Sequence, residues 1–180
     1  MPEEDSQQTG PETDTPLWQF ALALWQQSAA RDILLRLQEQ GWSVTRLLCA
    51  TWLASRGAPY SGDEPQALSQ WHRDVTESIR SLKKSLDKSD SLLISLRESL
   101  ASAELEAERI ELYRAWLAIG QPDSADSSAD VNRMAERNLR QAAPATTCVN
   151  ETTEPMIRHL AQLIGATARG LSGQQGSEQA

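Results

Sequence analysis

Two histidines, two cysteines, two tyrosines and a single phenylalanine in 180 residues leave little material for several kinds of chemistry. Cys49 and Cys148 lack the paired spacing of a metal site or a disulfide framework, which fits a reducing compartment. Ser69 and Met156 stand three residues before His72 and His159, so the Glu-x-x-His pattern of di-iron helical bundles is missing. No glycine-rich phosphate loop, nucleophile elbow, zinc-spaced His-Glu pair or dinucleotide fingerprint occurs. No cofactor is implied, and no enzyme is expected.

Long apolar runs are also lacking. None approaches the roughly 18 residues of a membrane span, and the N-terminus is acidic where a secretory signal would be basic. The expectation is a soluble, cytoplasmic protein with no membrane partner; the Asn150-Glu151-Thr152 sequon then has no glycosylation to report. Alternating β-branched segments are absent too, which favours an all-α fold over any sheet. No internal repeat of 20–50 residues is visible.

The formal net charge of -8 is unevenly spread. Residues 1–16 carry five acids and no base, whereas residues 17–119 carry 12 bases against 13 acids. The prospective folded part is nearly neutral, and the acidic extension reads as a solvating tail. Residues 1–15 are therefore expected to be disordered.

Against these scarcities stands a dense apolar block, Leu17-Trp18-Gln19-Phe20-Ala21-Leu22-Ala23-Leu24-Trp25, answered by residues 44–54 from Val44 to Ala54. Together they hold three of the six tryptophans and the only phenylalanine. Thr15 can cap the first helix with Pro16 in its first turn. That helix is apolar nearly all round and reads as central and enclosed. Ser28 is expected to cap a second helix with a stripe of Ile33, Leu34 and Leu37, stopped by Gly41. Ser43 opens a third, which Gly57 ends.

A Pro and Gly-rich loop to Pro65 precedes Leu68, Trp71, Val75, Ile79, Leu82 and Leu86, an amphipathic repeat of about five turns. Asp87-Lys88-Ser89-Asp90-Ser91 breaks it, and a second repeat runs from Leu93 to Leu117, stopped by Gly120 and Pro122. So short a link makes the two helices antiparallel neighbours. Ala103 and Ala107 leave room for close approach or for a tryptophan from the N-terminal block. Residues 120–130 read as a linker, Asp130 caps a weak helix over Val131, Met134 and Leu139, and Thr153-Glu154-Pro155 starts a last helix with Ile157, Leu160, Leu163, Ile164 and Leu171 on one stripe. Residues 172–180 are expected to be disordered.

Few side chains suggest a site. His72 and His159 read as surface or boundary residues, and Cys49 as a small buried hydrophobe. Glu104, Glu106, Glu108 and Glu111 read as a solvated face. Arg73, Arg80, Lys84 and Lys88 share roughly one helix face, with Lys83 beside it; they either contact phosphates or pair with the acidic stretch on the neighbouring helix. Trp42, after Gly41, and Trp71 or Trp116 are candidates for partly exposed partner anchors.

The apolar block, the segment from Val44 to Ala54, the run from Trp71 to Leu86 and Ala103-Glu104-Leu105-Glu106-Ala107-Glu108-Arg109 together resemble a family of small helical proteobacterial proteins, the domain of unknown function numbered twenty-three ninety. The resemblance covers about residues 17–117. It implies an all-α domain in a bacterial cytoplasm and brings no activity, cofactor or catalytic residue with it.

The sequence thus predicts a helical bundle of about five main helices over residues 16–119, including a long antiparallel hairpin, with one or two accessory C-terminal helices over residues 131–171. The functional expectation is a non-enzymatic adaptor whose partner is another protein or a second copy, bound through Trp42, the basic face or the stripe of Ile157, Leu160 and Ile164. A small-ligand binder or enzyme with a pocket between the Trp-rich helices and the hairpin is the alternative. Nucleic-acid binding through the basic face comes third.

Overall fold

The computed structural model describes residues 13–120, 130–144 and 149–174, with side chains described as far as residue 165. Residues 1–12 and 175–180 of the expected disordered tails, most of the expected linker and Cys148 lie outside these residues; residues 172–174, expected to be disordered, instead continue the last helix. Among the described residues eight α-helices follow one another: α1 (Pro16–Gln26), α2 (Ser28–Glu39), α3 (Val44–Ser55), α4 (Gln66–Trp71), α5 (Glu77–Ser85), α6 (Ile94–Ile119), α7 (Val131–Gln141) and α8 (Thr153–Gln174). A π-helical segment, His72–Thr76, joins α4 to α5, and a short 3-10 turn, Ser91–Leu93, precedes α6. No strand occurs among the described residues, so the fold is all-α as expected.

Local chemistry explains most boundaries. The Thr15 hydroxyl accepts from the Trp18 amide at 3.2 Å, Ser43 from Arg46 at 3.3 Å, and Asp130 from Asn132 and Arg133 at 3.1 and 3.2 Å, each satisfying donors that a helix start leaves free. Ser28 does not cap; it lies inside α2, and Gln27 takes the cap position. Gly41, at φ 87°, closes α2 in a Schellman turn: its amide donates to Gln38 and that of Trp42 to Leu37. Such a turn brings the residue after the glycine back over the last helical turn. Trp42 is consequently only 2% exposed, and the expectation of a partner-binding Trp42 is corrected.

The central helix is α3, with nine buried residues from Thr45 to Ala54. It packs against α1, α2, α6, α7 and α8. The block on α1 buries only Leu17, Phe20, Ala21 and Leu24, one helical face, and leaves Leu22 and Trp25 partly exposed at 40% and 38%. The enclosed-helix expectation for α1 therefore gives way: its second apolar face serves something other than the core.

The C-terminal helices are integral to that core. Helix α7 packs on α3, and α8 on α7, α2 and α3. Ile157, Leu160 and Ile164 are fully buried in the same cluster as Leu17, Leu34 and Leu47, which corrects their assignment to a partner surface. Asn138 on α7 locks the junction. Its amide nitrogen donates to Ala50 O at 3.1 Å and Ala58 O at 2.9 Å, and its oxygen accepts from the Tyr60 amide at 3.0 Å. Arg46 adds bonds to the Gly62, Gln141 and Ala142 carbonyls.

The hairpin forms as expected between α5 and α6, with one departure. The first helix of the pair is interrupted by the π segment, where the Glu77 amide donates to His72 O five residues back. At its far end the Asp87 carboxylate accepts from the Ser89 amide and hydroxyl, and Arg97 donates to the Lys83 and Leu86 carbonyls, closing α5. The buried residues of α6 are confined to Glu104, Ala107, Glu111, Leu112 and Ala115. The earlier half of α6 reaches beyond the core together with α5. Ala107 does accept a tryptophan, but it is Trp71 of the hairpin, whose Nε1 donates to Ala107 O at 3.2 Å.

Candidate functional site

A cleft of about 340 Å³ opens between α1, α2 and the hairpin. Its apolar side comes from Trp18, Leu22 and Trp25 of α1, Leu35 of α2, Val44 and Leu48 of α3, and Leu105 and Leu112 of α6. This is where the second face of the α1 block goes. Its polar side is built by the hairpin and α3: His72, Thr76, Arg80 and Lys83 meet Glu104, Glu108 and Glu111, with Thr45 between them. Ligand pockets run to about 300–1,000 Å³ and combine apolar walls with a few convergent polar groups, and this cleft has both properties.

Glu111 anchors the polar side. Its carboxylate, 1% exposed, accepts from Thr45 Oγ1 at 2.5 Å, Thr76 Oγ1 at 2.7 Å, and His72 Nδ1 at 3.1 Å to Oε1 and 3.2 Å to Oε2. Burial opposes its ionisation, but bonds from His72, Thr45 and Thr76 outweigh it and hold the carboxyl below its usual range. The Glu111 bond in turn raises the His72 pKa above its ordinary value, against the opposing effect of burial. The two groups form a charge-supporting pair, and His72 Nε2 makes no hydrogen bond among the described residues.

His72 and Thr76 are the first and last residues of the π segment. The widened turn puts both on the side facing α6, where one carboxylate takes them together. π segments occur mostly as single turns within α-helices and frequently at functional sites, and this one builds part of the cleft.

Arg80 is the second hub. Its Nε donates to Glu104 at 2.9 Å, one terminal nitrogen to Glu77 at 2.8 Å and the other to Glu108 at 2.7 Å, while Lys83 also bonds Glu104. Burial opposes the Glu104 charge, yet the two cations keep its carboxyl below the usual range. At Glu108 burial prevails and raises the carboxyl.

The expected site residues divide accordingly. Arg73, Lys84 and Lys88 are exposed, but Arg80 is turned inward and held by three carboxylates. The continuous basic face is therefore broken, and the pairing across the hairpin is what forms at Arg80 and Lys83. Glu104 and Glu111 are buried, which overturns their reading as a solvated face. His72, read as a boundary residue, is the one imidazole in the cleft. Sequence reasoning missed the pair because 39 residues separate His72 from Glu111. The signal available was the hairpin itself, since residues equidistant from its link lie opposite one another. Cys49 is buried, and burial first, with Glu64 and Glu111 adding, pushes its thiol up to about 12, as suits an inert core thiol. Among the described residues no three His, Cys, Asp or Glu side chains are placed to share a metal ion. None of the helices among them is long and apolar enough to cross a membrane.

Residues 16–114 match a family described as protein of unknown function, DUF2390. The chain belongs to the DUF2390 family. No curated protein and no solved structure matches it. The region matched to DUF2390 holds every residue that lines the cleft, from Trp18 to Leu112. Helices α7 and α8 lie outside the DUF2390 match, yet they complete the core beneath it.

Proposed function

We propose that this protein binds a small amphipathic ligand in the cleft between the Trp-rich helices and the hairpin, without transforming it. The observation that carries this reading is the second apolar face of α1: Leu22 and Trp25 face the cleft with Leu35 and Leu105, all partly exposed, opposite a fully organised polar wall. Four large apolar side chains left in water around one concavity are expensive for a folded chain, and a bound ligand would cover them. The two hydroxyls that line the cleft, Thr45 and Thr76, both donate to Glu111, whose carboxyl is held below its usual range and is a weak base. A panel of alkyl and aryl amphiphiles tests the idea by intrinsic tryptophan fluorescence and thermal shift. Binding should raise Tm, perturb the Trp emission and be lost in Trp25→Ala, which removes a rim side chain outside the core. If no member of the panel does so, the reading fails.

The far end of the hairpin favours a second reading, a non-enzymatic protein-interaction module. Leu82, Leu92, Ile94 and Leu96 are exposed there, Leu92 at 88%. Co-purification from native lysate with mass spectrometry, compared between the parent chain and Leu92→Asp/Ile94→Asp, tests it; identical profiles, or none above background, remove it.

A further inference from the structure

We propose that the cleft selects amphipathic organic cations, amines or quaternary ammonium ions with an apolar body, over anions of the same shape. The inference rests on the ligand-binding reading of the cleft and adds the charge of the ligand. Three carboxylates line the cleft, Glu104, Glu108 and Glu111, against two permanent cations, Arg80 and Lys83, with His72 contributing charge only when protonated. The decisive point is which of these groups are already committed.

Arg80 carries three carboxylates and Lys83 carries one, so neither offers its charge freely to an incoming anion. An anion drawing on Arg80 would have to displace a carboxylate from its partner and leave it short of compensation, a costly exchange. Glu111 is likewise saturated, by two hydroxyls and His72. Glu108 differs. One of its oxygens bonds Arg80, the other accepts no hydrogen bond among the described residues, and its side chain remains 40% exposed at the cleft. Burial also lifts the Glu108 carboxyl above its ordinary pKa, the mark of a negative charge short of compensation.

The opposite wall suits the same ligand. Trp25 is a partly exposed indole at the rim, and an indole face attracts a cation through its quadrupole. Trp18 already demonstrates that geometry, with the Arg109 guanidinium 5.5 Å from its ring centroid; Arg109 itself is not among the lining residues. A cationic head against Glu108, with its body along Leu22, Trp25, Leu35 and Leu105, satisfies both walls at once.

The test is calorimetric titration of the full chain with decyltrimethylammonium, decyl sulfate and decyl maltoside, each kept monomeric, which share a tail and differ in the charge of the head. The expected result is saturable binding of the ammonium ion, no measurable binding of the sulfate, and a roughly tenfold loss of ammonium affinity in Glu108→Gln, because a head without N–H donors meets the carboxylate through charge alone. That variant removes a charge while keeping the side-chain shape, and its Tm and far-ultraviolet circular dichroism should match the parent. Binding of the sulfate or maltoside as tight as that of the ammonium ion, or an unchanged affinity in a folded Glu108→Gln, overturns the cation selectivity and leaves the ligand-binding reading standing. Failure of all three compounds to bind, or ammonium binding undisturbed by Trp25→Ala, overturns both.

Discussion

Replacing Glu111 by Gln tests the polar wall at its most loaded point. Two hydroxyls and an imidazole nitrogen converge on a carboxylate that is 1% exposed, and an amide offers one acceptor where the carboxylate offered two. The threonine hydroxyls can rotate and accept from the new amide; a protonated His72 has no such recourse. Hydrogen bonds to a charged group contribute about 1.5–3 kcal/mol each, so with partial recovery at the hydroxyls the variant should lose about 2–3 kcal/mol. The linkage has a definite sign. Protonated His72, its folded pKa raised above 6.5, stabilises the fold below that value, a contribution lost as pH rises through the folded pKa. Ionised Glu111, its folded pKa lowered below 4.5, contributes above that value and loses its effect as pH falls through the folded pKa. Both act together between pH 4.5 and 6.5. Urea unfolding followed by tryptophan fluorescence should show the parent and Glu111→Gln furthest apart in that window, with the gap narrowing but not closing as His72 deprotonates at higher pH. Thermal scans should show a fall of roughly 5–10 °C there, at about 2–4 °C per kcal/mol. The His72 titration followed by NMR should move down in the variant. Unfolding curves that superimpose within about 0.5 kcal/mol across the window would refute the reasoning.

Other positions give sharper local readouts. Arg80→Met should cost about 2 kcal/mol because it leaves buried Glu104 with Lys83 alone, and adding Glu104→Gln should restore part of the loss in urea unfolding. Asn138→Ala orphans two carbonyls and the Tyr60 amide; a loss of about 3 kcal/mol is expected, with faster hydrogen exchange at Tyr60. Gly41→Ala meets no atom within 4 Å but must hold φ near 87°, so a pure backbone cost of about 1 kcal/mol is expected by thermal unfolding.

The one-dimensional signals were legible where they are local. Thr15, Ser43 and Asp130 act as caps, Gly41, Gly57 and Gly120 all have positive φ at helix ends, and the two long repeats meet as a hairpin. What was illegible is how apolar stripes are shared out. The stripes on α1 and α8 look alike as sequence, but α8 is drawn into the core by the surface of α2, α3 and α7. The α1 residues Leu22 and Trp25, in contrast, are left over because α3 takes the central place. Trp42 was misread for a local reason: the Gly41 turn that follows Leu37 folds the indole inward, and reading Gly41 only as a stop overlooked where its turn sends the next side chain. The Glu104 and Glu111 carboxylates were misread because charge alone does not reveal burial; their partners Arg80, Thr45 and Thr76 arrive from other helices.

The π segment has one further consequence, for how this chain tolerates length changes. Each residue added to or removed from a helix rotates everything beyond it by about 100°. Trp71 before the segment bonds Ala107, and Arg80 after it bonds Glu104 and Glu108, so the upstream and downstream stretches must both present the correct side to one partner helix. The extra residue held in His72–Thr76 is what brings them into phase. Trimming it would give a more regular helix and a worse protein, with Arg80 swung off its carboxylates and the polar wall of the cleft dismantled.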